Sequence, residues 1–189
     1  MKYYKLLYDH KNDIDFIGCL SEELYGVDQY DVEQGKCISN WDERITLIYN
    51  PNEGNRSTDY LANDLGWLVV SSEFKKILEE SDITGIQYLP INVKNKLDNK
   101  ELEGYFVANI CNLVDALDFE NSKYDLFDIN ENEKMLAVEK YALKKDKVKD
   151  VNIFKISEDN IPNFVSEKLK KLIEANNLTG FDFLEVKAV

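Results

Sequence analysis

The chain has very few of the residues on which common catalytic and metal sites depend. His10 is its only histidine, and the three cysteines, Cys19, Cys37 and Cys111, form no Cys-x-x-Cys pair. A single histidine excludes sites with several imidazole ligands, and no nucleophile motif accompanies His10. Neither GxGxxG nor GxxxxGK[ST], the glycine-rich loops that bind phosphates, occurs in the sequence. We therefore expect no metal, no cofactor and no conventional catalytic machinery.

Long hydrophobic runs are missing as well. No segment approaches the roughly 18 consecutive apolar residues of a membrane span. The first residues, MKYYKLLYD, lack the apolar run of a secretory signal. The odd number of cysteines favours a reducing compartment in which the thiols serve as small core residues. The sequence thus predicts a cytoplasmic protein.

Negative charge dominates the sequence. The chain carries 36 acidic and 23 basic residues, which gives a net charge of −13. Because phosphates and anionic lipids repel such a surface, nucleic acid and membranes are not expected as partners. Residues 9–43 and 98–133 each have a net charge of −8, whereas residues 134–155 are basic. The two acidic tracts either converge on one patch or form separate solvated loops.

The clearest positive signal is an internal repeat. Residues 71–91 read SSEFKKILEESDITGIQYLPI, and residues 166–186 read SEKLKKLIEANNLTGFDFLEV. The two segments align without a gap; seven of the 21 positions are identical and seven more keep an apolar residue. Two copies are too few for a solenoid, so we expect them to be pseudo-equivalent units within one fold.

Each copy of the repeat predicts a helix, a turn and a strand. Ser71 and Ser166 are suited to cap the helix N-termini, and apolar residues then follow at helical spacing. Gly85 and Gly180 supply the backbone freedom that a sharp exit from the helix requires. The alternation of the following strand slips by one residue at the same place in both copies, which predicts a shared β-bulge.

The rest of the sequence predicts mainly strands. Short segments rich in β-branched and aromatic residues are bounded by Asp, Asn, Gly or Pro, as is typical of strands; they are Tyr3–Tyr8 and residues 14–20, 45–49, 67–70, 105–111, 135–143 and 151–156. Short helical turns are expected at residues 61–65 and 113–117, and linker-like stretches at residues 50–57 and 92–103. The predicted fold class is α+β, with a mostly antiparallel or mixed sheet and a few helices.

Length and composition fit one domain. The 189 residues include 44% hydrophobic ones, enough to bury a sizeable core without disulfides or metals. We expect a single domain of residues 1–189, with a separate N-terminal subdomain of residues 1–44 as the alternative.

Two groups of residues are candidate sites. Asp115, Asp118 and Glu120 lie in one polar stretch, and paired carboxylates can divide acid and base roles or hold a hard cation. Their spacing matches no EF-hand loop. The other interpretations are contact with a partner, and local bonds to the backbone at strand ends and turns.

Trp41, with Asp42 and Glu43 beside it, forms the second group. Tryptophan is enriched at interface hot spots, so Trp41 is a candidate anchor for a partner protein. Packing in the core is the alternative. We treat all six residues as candidate partner contacts and assign no catalytic or metal role to them.

Several motifs together resemble a family of bacterial immunity proteins from polymorphic toxin systems, formerly a domain of unknown function. The shared pattern is a Val-Ser-x-x-Phe/Leu helix start, a Tyr-x-x-x-Asn strand, an Asp-x-x-Asp pair followed by Ser, and a terminal Leu-Thr-Gly-x-x-Phe unit. These motifs fall on residues 70–74, 105–109 and 115–118, on Ser122, and on residues 178–183. The resemblance covers about residues 45–189, and the first 40 residues show no matching motif.

The resemblance implies a protein that is not an enzyme and that binds and blocks a cognate toxin. An acidic inhibitor facing a basic toxin would gain association rate by electrostatic steering. Two other functions stay open from the residues alone. One is a structural or adaptor protein of a secretion system or phage particle, and the other is an enzyme that uses Asp115, Asp118 or Glu120.

Overall fold

Two β-sheets and a separate two-stranded ribbon make up most of the protein. The computed structural model describes residues 1–11, 15–130 and 133–189, and these contain fifteen strands and three α-helices. Strand pairing is mixed and mostly antiparallel. The predicted α+β class is therefore confirmed.

Strands and helices are numbered along the chain. The strands are β1 Tyr3–Tyr8, β2 Gly18–Ser21, β3 Thr46–Tyr49, β4 Tyr60–Asn63, β5 Val69–Ser71, β6 Ile86–Pro90, β7 Asn92–Asn95, β8 Tyr105–Ile110, β9 Leu113–Val114, β10 Lys123–Asn130, β11 Glu133–Lys140, β12 Ala142–Leu143, β13 Ile153–Ile156, β14 Phe164–Ser166 and β15 Phe181–Ala188. The helices are α1 Ser72–Glu80, α2 Lys145–Val148 and α3 Glu167–Ala175. One sheet has the order β12–β15–β1–β14–β13–β9 and the other β6–β8–β5–β4–β2–β3–β7, while β10 pairs with β11 to form the ribbon.

The two sequence repeats form equivalent halves of the fold. In the first half, α1 connects β5 to β6, and the antiparallel strand β8 lies between these strands. In the second half, α3 connects β14 to β15, and β1 lies between them. The equivalence extends further, because β4 and β2 continue the first half as β13 and β9 continue the second. The predicted helix–turn–strand units are confirmed.

Both repeat helices begin where the sequence predicts. The Ser71 Oγ accepts a hydrogen bond from the Phe74 amide, and the Ser166 Oγ accepts one from the Leu169 amide, each at 3.2 Å. The buried side chains of both helices belong to one core cluster, in which Phe74 stacks on Phe181 with ring centroids 5.3 Å apart. The caps fix where each helix starts, and the apolar face joins the two halves.

The predicted β-bulge does not occur in β6 or β15, both of which lie within the described residues. β6 pairs with β8, and β15 with β1, in continuous register. The apolar residues of these strands depart from strict alternation for another reason. Both faces of each strand pack against a core cluster, so apolar residues occur on both faces. Ile86 and Tyr88 of β6 pack on the helix side, whereas Leu89 is buried in a different cluster. In β15, Phe183 packs on the helix side and Val186 is buried in a third cluster.

Asp59 connects the two halves through its carboxylate. One oxygen accepts a hydrogen bond from the Ser71 hydroxyl at 2.7 Å. The other accepts bonds from the amide and hydroxyl of Thr179 at 2.8 and 3.0 Å. At the equivalent position in the second half, Asn152 accepts a bond from the Ser166 hydroxyl at 2.8 Å. Asp59 thus holds the cap of one half and the turn of the other.

We expect Asp59→Asn to lower the free energy of unfolding by about 2 kcal/mol. If the side-chain oxygen of the new asparagine accepts the bond from Ser71, its NH2 group must face the backbone N–H of Thr179. Two donors cannot bond to each other, so the bond from the Thr179 amide is lost. Urea denaturation measures the change. Asp98→Asn is the matched control, since Asp98 accepts from the Lys100 amide through one oxygen, which asparagine also supplies. Equal stability of the two variants would contradict the bridging role.

Other strands were predicted from the sequence with mixed success. The strands at Tyr3–Tyr8 and residues 45–49, 67–70, 105–111 and 151–156 are confirmed within one or two residues. Residues 135–143 contain two strands, β11 and β12. The strand predicted for residues 14–20 is limited to β2 and a bridge between Phe16 and Arg56, and Ile14 lies outside the described residues.

Two predicted helical turns are wrong. Residues 61–65 begin inside β4, which pairs with β2 and β5, and the chain then turns. Residues 113–117 begin with β9, which pairs with β13. The stretch of residues 92–103, predicted as a linker, contains β7 beside β3. In each case a strand far along the chain supplies backbone partners that local sequence does not show.

The first 44 residues are divided between the sheets. β1 is an inner strand of the six-stranded sheet, and β2 is an inner strand of the seven-stranded sheet. The side chains of α1 and α3 also share one core cluster. We propose on these grounds that residues 1–189 fold as a single domain, without a separate subdomain of residues 1–44.

Candidate functional site

Trp41 lies half-buried against the core of the seven-stranded sheet. Its indole N–H donates to the Pro90 carbonyl at 2.7 Å, and its ring lies 5.3 Å from that of the buried Trp67. These contacts hold the segment before β3 against the end of β6. Trp41 therefore packs as a structural residue and presents only part of its ring to solvent.

The Asp42 carboxylate accepts hydrogen bonds within its own turn, whereas the Glu43 side chain is exposed. Both Asp42 oxygens accept hydrogen bonds from the Arg44 guanidinium, at 3.0 and 2.7 Å, and the Arg44 amide adds a third at 2.9 Å. The Arg44 side chain lowers the pKa of Asp42 to about 2. The Glu43 backbone carbonyl accepts a hydrogen bond from the Asn92 side chain, and the Glu43 side chain itself is exposed. The Asp42 carboxylate therefore already has its hydrogen-bond partners within its own turn.

Asp115 is exposed and paired with a lysine from the basic segment. The Lys144 ammonium lies 2.8 Å from its carboxylate and lowers the pKa of Asp115. The charge of Lys144 also acts on Asp118. The structure therefore brings Asp115 and Asp118 around Lys144, whereas Trp41 packs against the core of the other sheet.

Asp118 organises the turn that leads into the ribbon. Its side chain accepts a bond from the Asn121 amide at 2.9 Å, which lowers the pKa of Asp118. Its backbone and the Ser122 hydroxyl bond to both backbone groups of Ala142 in β12. Glu120 is exposed in the same turn. The acidic stretch is therefore mainly a structural turn, with Glu120 at its surface.

The ribbon carries the densest group of exposed apolar side chains in the described residues. Leu126, Phe127, Ile129 and Met135 are each 51% to 57% exposed, and Phe119 in the preceding turn is 45% exposed. The Phe119 ring contacts Tyr124 edge to face at 5.3 Å, which continues the patch to the ribbon base. We call these five exposed residues, Phe119, Leu126, Phe127, Ile129 and Met135, the ribbon surface. Contiguous exposed apolar patches of this kind are typical of interaction sites.

Pairing register determines which way the ribbon residues face. Phe127 lies opposite Met135, so the two side chains share one face of the ribbon. Leu126 lies opposite Leu136 on the other face, and Leu136 packs against the core of the six-stranded sheet. One face therefore anchors the ribbon, and the other presents Phe127 and Met135 to solvent.

A groove of about 480 Å³ lies between the base of the ribbon and β15. Its apolar lining includes Val138, Tyr141 and Leu184, and Lys5 and Lys187 are among its charged residues. Leu184 is itself more than half exposed. The groove adds a concave apolar surface beside the ribbon, where a protein partner could insert a side chain.

Sequence reasoning missed the ribbon surface. The negative charge of residues 98–133 favoured an acidic patch or solvated loops, although the apolar residues Tyr124, Leu126, Phe127 and Ile129 were available as a signal. Tyr124 and Leu126 occupy even positions and Phe127 and Ile129 odd ones, so the four residues do not all fall on one face of a strand. The segment therefore lacks the one-sided alternation of a strand with one face on a core.

Within residues 1–11, 15–130 and 133–189, no group of three or more His, Cys, Asp or Glu side chains is arranged to hold a metal ion. The helices of the described chain are all too short or too polar to cross a membrane.

Comparison with known proteins identifies the family. No curated protein matches the chain. The model of the immunity protein family Imm11 matches residues 2–188, so the match includes the N-terminal region in which no motif had been recognised. This covers nearly the whole chain and confirms the resemblance seen in the motifs. The chain belongs to the Imm11 immunity protein family.

Proposed function

We propose that the protein neutralises a cognate bacterial toxin by forming a stoichiometric complex with it in the cytoplasm. The observation that carries this proposal is the family match over residues 2–188. Inhibition by binding needs a complementary surface and no reacting group. That requirement fits a chain with one histidine and with no metal-binding cluster in its described part.

We propose the outward part of the ribbon surface, centred on Phe127 and Met135, as the main contact with the toxin. In the part of the chain that the structure describes, the ribbon pairs with no third strand, and its exposed apolar side chains can be buried by a partner. Large apolar anchors supply most of the affinity in protein interfaces. Asp125 lies on the same face as Phe127, and Glu120 is exposed beside Phe119. Acidic residues around an apolar centre suit a toxin with basic residues at the rim of its binding surface.

Asp42, Glu43 and the other early acidic residues are proposed to act at longer range. A net charge of −13 raises the encounter rate with a basic protein through electrostatic steering. Such steering weakens as salt screens the charges. The ribbon surface would then determine the affinity, and the overall charge the rate of association.

Catalysis by Asp115 or Asp118 is less well supported. A general acid at neutral pH needs a raised pKa, whereas Lys144 lowers the pKa of Asp115 and the Asn121 amide lowers that of Asp118. Both side chains also have structural partners. These partners favour a structural role for the two carboxylates.

Co-expression with the product of the adjacent gene tests the proposal. We expect that product to arrest growth when expressed alone, and the immunity protein to restore growth and to co-purify with it in a fixed ratio. A toxin from an unrelated immunity pair is the specificity control. A neighbour that is neither toxic nor bound would overturn the proposal and favour an adaptor role in a secretion system or phage particle.

A further inference from the structure

Two of the three cysteines are not core residues. Cys19 is buried, as the sequence predicts, but Cys37 is exposed and Cys111 is half-buried, so the prediction is wrong for these two. Their sulfur atoms lie 2.6 Å apart, although 74 positions separate them in the chain. Neither thiol has a role in the proposed interaction with a toxin.

The backbone on both sides of Cys37 is held in place. The Gln87 side chain bonds to the amide and the carbonyl of Ile38, each at 2.8 Å. The Asn109 side chain donates to the Lys36 carbonyl at 2.8 Å. The segment carrying Cys37 is therefore fixed to both β6 and β8 by side chains other than the cysteines.

Cys111 is fixed as firmly. Its amide donates to the Gly85 carbonyl at 2.8 Å, directly after the end of β8. Cross-linking two cysteines normally fails when their backbones must move to bring the sulfur atoms together. Here the surrounding bonds already bring them together, so a bond between the sulfurs requires little rearrangement.

We propose that Cys37 and Cys111 form a reversible disulfide when the protein meets a peroxide. Cys37 lines an open groove of about 300 Å³, through which a small oxidant reaches its sulfur. The Cys37 sulfur attacks one peroxide oxygen and breaks the O–O bond, and the thiol proton passes to the departing hydroxide, which gives a sulfenic acid and one water. The Cys111 sulfur then displaces a second water and forms the S–S bond. Two thiols thus lose two electrons and two protons, and one peroxide becomes two waters.

The two thiols have different roles in this sequence. Burial, together with the neighbouring Cys37 sulfur, raises the pKa of Cys111 to about 12. Cys111 is therefore slow to meet an oxidant, and the exposed Cys37 reacts first. Once the Cys37 sulfenic acid forms, the adjacent Cys111 sulfur is the nearest thiol to resolve it.

Hydrogen peroxide treatment of the purified full-length chain tests this proposal. After treatment and unfolding, we expect one of the three thiols to react with a maleimide, and the intact mass to fall by two hydrogen atoms. The melting temperature should rise by about 10 °C, because the bond closes a long loop in the unfolded chain. Dithiothreitol should reverse all three changes.

Two variants separate this pair from the other thiol. Cys19→Ser should keep the peroxide-dependent rise in melting temperature, whereas Cys37→Ser should lose it while folding normally in its reduced state. Three free thiols after treatment, a disulfide that includes Cys19, or cross-linked dimers would each overturn the proposal. These outcomes are independent of toxin binding, so they leave the proposed function unaffected.

Discussion

Gly180→Ala is expected to lower the free energy of unfolding by about 3 kcal/mol. Gly180 has a φ of +87°, which costs an L-amino acid about 1–2 kcal/mol. An added Cβ would also lie 2.4 Å from the backbone carbonyl oxygen of Tyr60, in a strand that cannot easily move. The contact adds about 1–3 kcal/mol of overpacking. Urea or thermal unfolding of the two proteins measures the loss.

Two other glycines separate the backbone cost from the contact cost. Gly26 has a φ of +82° and no atom within 4 Å of an added Cβ, so Gly26→Ala should cost only about 1 kcal/mol. An added Cβ at Gly85, with a φ of +86°, meets the Asn112 side chain, which can turn aside only by losing its 3.0 Å bond to Ile153. We expect Gly85→Ala to cost about 2 kcal/mol, between the other two. Equal losses of unfolding free energy in Gly180→Ala and Gly26→Ala would show that the contact between an added Cβ at Gly180 and the Tyr60 carbonyl does not contribute.

The second large effect concerns binding. We expect the double variant Phe127→Ser, Met135→Ser to weaken toxin binding at least 100-fold, which corresponds to about 3 kcal/mol. The two side chains lie opposite each other on the outward face of the ribbon, so their replacement removes the apolar centre of the proposed contact. Because both are about half exposed, the fold should keep nearly all of its stability. Calorimetric titration of toxin into each purified variant measures the affinity.

Leu20→Ser is the matched control for this experiment. Leu20 is 63% exposed on β2, and it lies in the seven-stranded sheet, outside the ribbon. Its replacement should change affinity less than about twofold, since surface residues outside the contact contribute little. If the double variant binds as tightly as Leu20→Ser while both still rescue growth, the ribbon is not the contact, although neutralisation by binding would stand.

Sequence reasoning succeeded where the determinants were local. The caps at Ser71 and Ser166 act on amides three residues ahead, and the glycine turns depend on backbone conformation at a single position. Both signals lie within a few residues and repeat at an offset of 95 in the sequence. The family motifs are of the same kind, which is why their order was recognisable without a structure.

Elements that depend on distant partners could not be predicted in this way. Ala62 of β4 lies beside Gly18 of β2, 44 residues earlier in the chain, and nothing near Ala62 in the sequence shows this pairing. The same holds for the candidate site. Asp115 is paired with Lys144, 29 residues away, so a carboxylate that looks free in the sequence is occupied in the fold.

The place of β1 has a consequence for how the protein is made. Tyr3 pairs with Val186 on one side and with Ser166 on the other, so β1 finds its partners only after β14 and β15, far along the chain, have been synthesised. The strands of the seven-stranded sheet all lie between Gly18 and Ile110 and can pair while synthesis continues. The six-stranded sheet forms later, because pairing β1 with β14 and β15 closes a long loop of the chain, and such loops close slowly. The ribbon, which rests on that sheet's core, then reaches its final position only after β14 and β15 have been synthesised.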